Sequence, residues 1–134
     1  VIHRFPIKVR FYELDPYGHV NHSVYVQYFE AARVELLHEA GLSLEGMQEV
    51  GVMIVVTDIA TRFRRSAGPD ADLVVETGVV EFKRVTSRWK QRLLCCDEVY
   101  VEQELNAAAT NLEGRPIRFP EKFATALHPY LWTP

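Results

Sequence analysis

The sequence contains no apolar run near the length of about 18 residues that a membrane-spanning helix requires. It has no surplus of positive charge either, since fifteen Lys and Arg stand against eighteen Asp and Glu, a net charge of −3. Neither a membrane nor a nucleic acid is therefore expected as a partner. Cysteine is limited to the adjacent pair Cys95 and Cys96, which has neither CxxC redox spacing nor metal-ligand spacing. On a strand the two side chains point to opposite faces, and they read as reduced thiols of a cytoplasmic protein; the start at Val1 leaves a removed leader open. The chain also lacks a GxSxG elbow, an HExxH zinc pair, a GxGxxG turn and a P-loop, absences that narrow the field. No repeat or low-complexity segment divides it. Its 134 residues read as one domain, 1–134, with 121–134 as a C-terminal tail, large enough to bury roughly 68% of the unfolded surface.

What is present begins with the stretch from Phe11 to Tyr25 and the helical run behind it. Ile7, Val9 and Phe11 alternate with Lys8, Arg10 and Tyr12, the period of a half-buried strand over Ile7–Glu13. Asp15-Pro16-Tyr17-Gly18 places Asp, Pro and Gly where a type I turn uses them. Asn21, His22 and Ser23 then precede a helical period, and Asn and Ser are residues that satisfy the open N–H groups of a helix start. Tyr25, Tyr28, Phe29, Ala32, Leu36 and Ala40 form one apolar face of a helix about 25 Å long. Glu30 and Arg33 are spaced as a surface pair on its other side, and Gly41 suits the position past its end.

Beyond Gly51 the sequence is strand-like, with strands expected over 52–65, 73–83, 87–96 and 99–110, and a short one at 115–119. Ser66 to Asp70 and Asn111 to Gly114 carry turn chemistry, and 96–98 is a hairpin tip. Long consecutive strands with short links argue for an antiparallel sheet. The tail offers a small helix, with Trp132 either anchored or free.

An acid on a turn just ahead of a helix start has a chemical use. The first helical N–H groups are unpaired and lie at the positive end of the helix dipole, so they can hold an oxyanion while a carboxylate acts on the neighbouring carbon. Asp15 and the helix start near His22 suit acyl transfer in this way. The same residues also have an ordinary use: Asp before Pro caps its own turn, and His is a common helix-start residue. Local chemistry leaves both open.

The run Phe11-Tyr-Glu-Leu-Asp15-Pro-Tyr-Gly18-His-Val-Asn21-His22-Ser-Val-Tyr25, with Tyr28-Phe29-Glu30-Ala-Ala-Arg33 behind it, resembles the signature of the 4-hydroxybenzoyl-CoA thioesterase-like hotdog family. Weaker similarity follows at 62–72 and 111–120, and the Glu-Leu-Asp variant is similar to acyl-ACP thioesterases of that superfamily. The resemblance implies an α+β hotdog fold, a long central helix wrapped by a curved antiparallel sheet. It implies a homodimer or homotetramer that hydrolyses an acyl-CoA or acyl carrier protein thioester at the subunit interface, with no metal or other cofactor. Asp15 takes the position of the catalytic carboxylate and His22 that of the helix-start residue. Asn21 and Tyr25 then shape the pocket, and Gly18 lets the turn approach the ligand. Other readings from the same fold are a dehydratase or hydratase of acyl thioesters and a non-catalytic acyl-binding module.

Arg88, Lys90 and Arg92 alternate on one strand and project to one face, with Arg62 and Arg64 at the end of another. Such a row could take coenzyme A phosphates or an acidic carrier protein, or could equally be an ordinary solvated sheet face. Glu102, Glu104 and Asn106 make the last long strand unusually polar on one side.

Overall fold

The computed structural model describes residues 2–133. The chain runs β1 (His3–Lys8), a 3-10 turn (Phe11–Glu13), α1 (His22–Glu39), α2 (Leu44–Glu49), β2 (Met53–Phe63), β3 (Asp72–Phe82), β4 (Thr86–Cys95), β5 (Glu98–Thr110) and α3 (Glu121–Leu127), then a last 3-10 turn at His128–Tyr130. The five strands form one antiparallel sheet in the order β1-β3-β4-β5-β2. Register shifts at Val56/Asp58, Val79/Glu81 and Leu93/Leu94 mark bulges, the points at which such strands bend. This mixed architecture fits the hotdog class. Strands β2 to β5 lie within three residues of the expected limits at each end, because Gly, Pro, Asn and Asp punctuate the chain there.

Two expected strands differ. The alternation through Phe11 does not continue the first strand: β1 starts at His3 and stops at Lys8, and Phe11 is 85% exposed. The Glu13 carboxylate accepts the Arg10 N–H at 2.8 Å and closes the chain into the 3-10 turn instead. Residues 115–119 likewise form no strand, only a bridge from Thr110 to Pro116, because Pro116 cannot donate to a ladder.

Helix α1 has 18 residues and is capped by Asn21, whose side chain accepts the Ser23 N–H. Tyr25, Tyr28, Phe29, Ala32, Leu36 and Leu37 are its buried residues, and Val34, Glu35 and His38 stay exposed. One side of α1 thus lies against the sheet and the other is exposed. Gly41 takes φ +77° just past the end, the left-handed conformation that terminates a helix.

The core lies between α1 and the inner sheet face as two apolar clusters. One holds Val20, Tyr25, Phe29, Leu73, Val75, Leu93 and Val101; the other holds Leu36, Met47, Val79, Trp89, Leu105 and Phe123. Between them one register row is polar across every strand: His3, Thr77, Gln91, Gln103 and Thr61 are successive cross-strand partners. Arg33 of α1 reaches into this row, donating to Gln91 Oε1 at 2.8 Å and Gln103 Oε1 at 3.2 Å. It is therefore no surface partner of Glu30. Burial holds the guanidinium below its ordinary value, opposed by the charge of Glu30.

On the outer face the next row alternates in sign, Arg4, Glu76, Arg92, Glu102 and Arg62 being successive partners. The polar side of β5 is explained here, because Glu102 and Glu104 stand opposite Arg92 and Lys90. Trp132 is anchored on this face: its N–H donates to Val79 O at 2.8 Å, and its ring lies over Gly78, where a Cβ would come within 2.8 Å. No helix among the described residues is long and apolar enough to cross a membrane.

Gln91→Leu should lower the unfolding free energy by about 3 kcal/mol, because it strips a charged donor and the buried Thr77 hydroxyl of a partner. Urea denaturation would measure it, and a loss below about 1 kcal/mol would mean that the row is slack.

Candidate active site

Asp15 sits on one arm of a short two-armed loop. Glu13 O accepts the Asn21 N–H, Leu14 bridges Val20, and Asp15 N–H donates to His19 O at 2.7 Å. The expected turn closes the tip through Gly18 N–H to Asp15 O at 3.0 Å, with Gly18 at φ +78°. Val20 is buried in the first core cluster, so the return arm is fixed where the helix begins.

Asp15 Oδ1 accepts the N–H groups of Tyr17 at 2.9 Å and His19 at 3.1 Å. This is the self-capping use of Asp before Pro, and it accounts for one oxygen only. Among the described residues nothing donates to Oδ2. The capping bonds thus orient the carboxylate and leave its second oxygen for other work.

The helix start is similarly half spent. Asn21 Oδ1 takes the Ser23 N–H at 3.0 Å and its hydroxyl at 2.9 Å, while Asn21 O takes the Val24 N–H at 2.9 Å. The N–H of His22 finds no acceptor among the described residues. The His22 ring is exposed and meets Phe63 edge-on at 6.5 Å, and Phe63 also lies 5.8 Å from the Tyr25 ring. Tyr25 accepts the buried Ala67 N–H on its hydroxyl at 2.8 Å. Burial raises its ionisation above the ordinary tyrosine value, the Ala67 bond works against this, and the nearby Asp15 charge adds to it.

Asp15, Gly18, Asn21, His22 and Tyr25 are therefore gathered at one end of α1. The cations are not gathered with them. Arg88 and Lys90 project from the sheet face opposite α1, where Lys90 lies 5.4 Å above the Trp132 ring. Arg62 stands across from Glu102 on the same face, and Arg64 pairs with Glu102 at 2.9 Å. Among the described residues no group of three or more His, Cys, Asp and Glu side chains is arranged to hold a metal ion.

Glu13 and Ala67 went unnoticed in the sequence as parts of this end of the molecule. A usable signal existed for Glu13 and Ala67. Tyr25 and Tyr28 lie on the buried helix face, and a buried tyrosine hydroxyl needs a partner. On the far side of Glu13 and Tyr28, a groove of about 750 Å³ opens between β1, the 3-10 turn and α1.

The chain is similar to known proteins over most of its length. The family model for the thioesterase-like superfamily matches residues 9–127. The acyl-CoA thioesterase YbgC of Haemophilus influenzae is 30% identical over 126 residues, which cover 92% of this chain and 93% of that protein. Among solved structures, a hypothetical protein of Thermus thermophilus aligns at TM-score 0.87 with 31% identity, over 95% of this chain and 98% of that one. The DHNA-CoA thioesterase of Staphylococcus aureus, at 22% identity, shares the fold at TM-score 0.87 over 96% of this chain and 89% of that one. The chain belongs to the thioesterase-like superfamily and is a thioester hydrolase.

Proposed function

We propose that the protein hydrolyses an acyl-CoA thioester, with Asp15 as the reacting carboxylate and the His22 N–H as the oxyanion donor. The observation that carries this reading is the pairing of one free carboxylate oxygen with one free helix N–H at the two ends of a single short loop. The acyl-CoA substrate is carried over from the Haemophilus influenzae relative.

In the first step Asp15 Oδ2 takes a proton from water as the water oxygen bonds to the carbonyl carbon. The oxygen of that carbonyl gains the negative charge and is held by the His22 N–H. Collapse of the tetrahedral species breaks the C–S bond, and the departing thiolate receives the proton from Asp15. Direct attack by Oδ2, giving an acyl-Asp15 anhydride that water then opens, uses the same geometry. Turnover in 18O-water separates the two, because only the second route puts label into Asp15.

Asn21, Tyr25 and Gly18 form the wall of this site, with Phe63 beside them. Binding of the carrier group falls to Arg62 and Arg64, at the end of β2 that carries Phe63, and less directly to Arg88 and Lys90 on the outer face. We read the whole of 1–134 as one catalytic domain.

A homodimer is part of the reading. β2 is an edge strand of 11 residues whose inner side chains Val56, Ile59 and Phe63 are 39%, 42% and 51% exposed, uncovered by α1. An unprotected apolar edge of this length calls for a second copy. Phe63 contacts both His22 and Tyr25, so the site lies at that edge.

Three outcomes are expected. Asp15→Asn should lower kcat on acyl-CoA at least about a hundredfold with the fold retained, and unchanged turnover would end the mechanism. His22→Pro deletes the N–H at the first helical position, where proline is tolerated, and should cost about a hundredfold in kcat with little change in melting temperature. His22→Ala keeps that N–H and should lose far less. Ile59→Lys should yield a monomer by sedimentation velocity with strongly reduced turnover; a dimer of unchanged stability would move the interface elsewhere.

A further inference from the structure

Two tyrosines on the first turns of α1 hold the two ends of the Asp15 loop. Tyr28 donates its hydroxyl to Glu13 Oε1 at 2.6 Å, and the same oxygen accepts the Arg10 N–H at 2.8 Å. The backbone carbonyl of Glu13 accepts the Asn21 N–H at 2.9 Å. One residue thus ties the outgoing arm of the loop to the helix and to its cap. At the other end, the Tyr25 hydroxyl accepts the Ala67 N–H at 2.8 Å, and Ala67 O accepts the Val20 N–H at 3.0 Å. The two rings meet edge to face with centroids 6.2 Å apart, so the two attachments share a wall.

Hydrophobic packing alone places a loop loosely, because it is not directional. A hydroxyl donated to a carboxylate is short and directional, and such bonds are about twice as strong as neutral ones. Burial raises the ionisation of Tyr28 above the ordinary tyrosine value, and its bond to Glu13 and the charge of Glu13 add to this. The phenol therefore stays a neutral donor through the neutral and mildly alkaline range.

We infer that Tyr28 and Glu13 are positioning residues for Asp15, a bracket that fixes the carboxylate relative to the His22 N–H on the same helix. The inference rests on the reading of Asp15 as the reacting group. Its role is geometric: neither residue touches the reacting atoms, and a displacement near 1 Å at the acid is enough to cost about a hundredfold in rate.

Tyr28→Phe tests it, because it deletes one oxygen and keeps the ring in the core. The expected result is a kcat about tenfold lower with KM within about twofold and a near-normal thermal melt. Glu13→Ala should give a similar loss, and Glu13→Gln, which keeps an oxygen for both donors, should recover most of it. The decisive arm is the double variant. In an Asp15→Asn background, Tyr28→Phe should reduce the residual turnover by less than about twofold, since the bracket has nothing left to position. Wild-type kcat in Tyr28→Phe overturns the inference, and so does an undiminished tenfold loss in the Asp15→Asn background. Wild-type turnover in Asp15→Asn alone overturns the catalytic reading itself and is seen in that arm without reference to Tyr28.

Discussion

The contact on which the rest of the structure depends is Arg33 held between Gln91 and Gln103. Apolar clusters on either side attract α1 to the sheet but do not fix where along the sheet it lies. A guanidinium with two amide oxygens as acceptors does, because a slide of one turn would leave a buried charge without partners. Gln91 adds to this by donating to the carbonyl of Phe29 at 2.8 Å, so the sheet grips the helix backbone as well as its side chain. With α1 fixed in this way, its first turn is fixed, and with it the N–H of His22.

The acid loop is then a dependent structure. Its ends are attached to α1 through Glu13 and Tyr28, and through Ala67 and Tyr25, and to the core through Val20. Helix, cap and carboxylate are thus tied together by direct hydrogen bonds. The self-capping of Asp15 first looked like a rival to a catalytic role. The two uses are compatible, since a carboxylate with both oxygens free would turn about its bond, whereas one capped oxygen holds the other in a fixed direction.

Much of this was legible in the sequence wherever the determinants are local. The apolar spacing from Tyr25 to Leu36, the Asn21 cap, Gly41 past the helix end and the Asp15-Pro16-Tyr17-Gly18 turn each act within a few residues, and each appears where expected. Arg33 was misread for the opposite reason. Its spacing from Glu30 is that of a surface pair, while its actual acceptors lie 58 and 70 residues away. The alternation Ile7, Val9, Phe11 misled in the same manner, because the Glu13 side chain captures the Arg10 N–H and turns the chain before Phe11 can join the sheet.

The cation row shows how sheet pairing bears on readings that a strand alone leaves open. Arg88, Lys90 and Arg92 do share a face, as alternation demands, but their cross-strand partners are Asn106, Glu104 and Glu102, and Arg92 also faces Glu76. Arg92 is paired with Glu76, Lys90 stands opposite Glu104, Arg88 faces the neutral Asn106, and Trp132 covers part of the row. A ligand phosphate would have to displace the Glu76 carboxylate to bind Arg92, a cost that Arg88 does not carry. At the acid loop the balance runs the other way: among the described residues one carboxylate oxygen and one helix N–H have no protein partner. The proposed chemistry draws on those unspent groups.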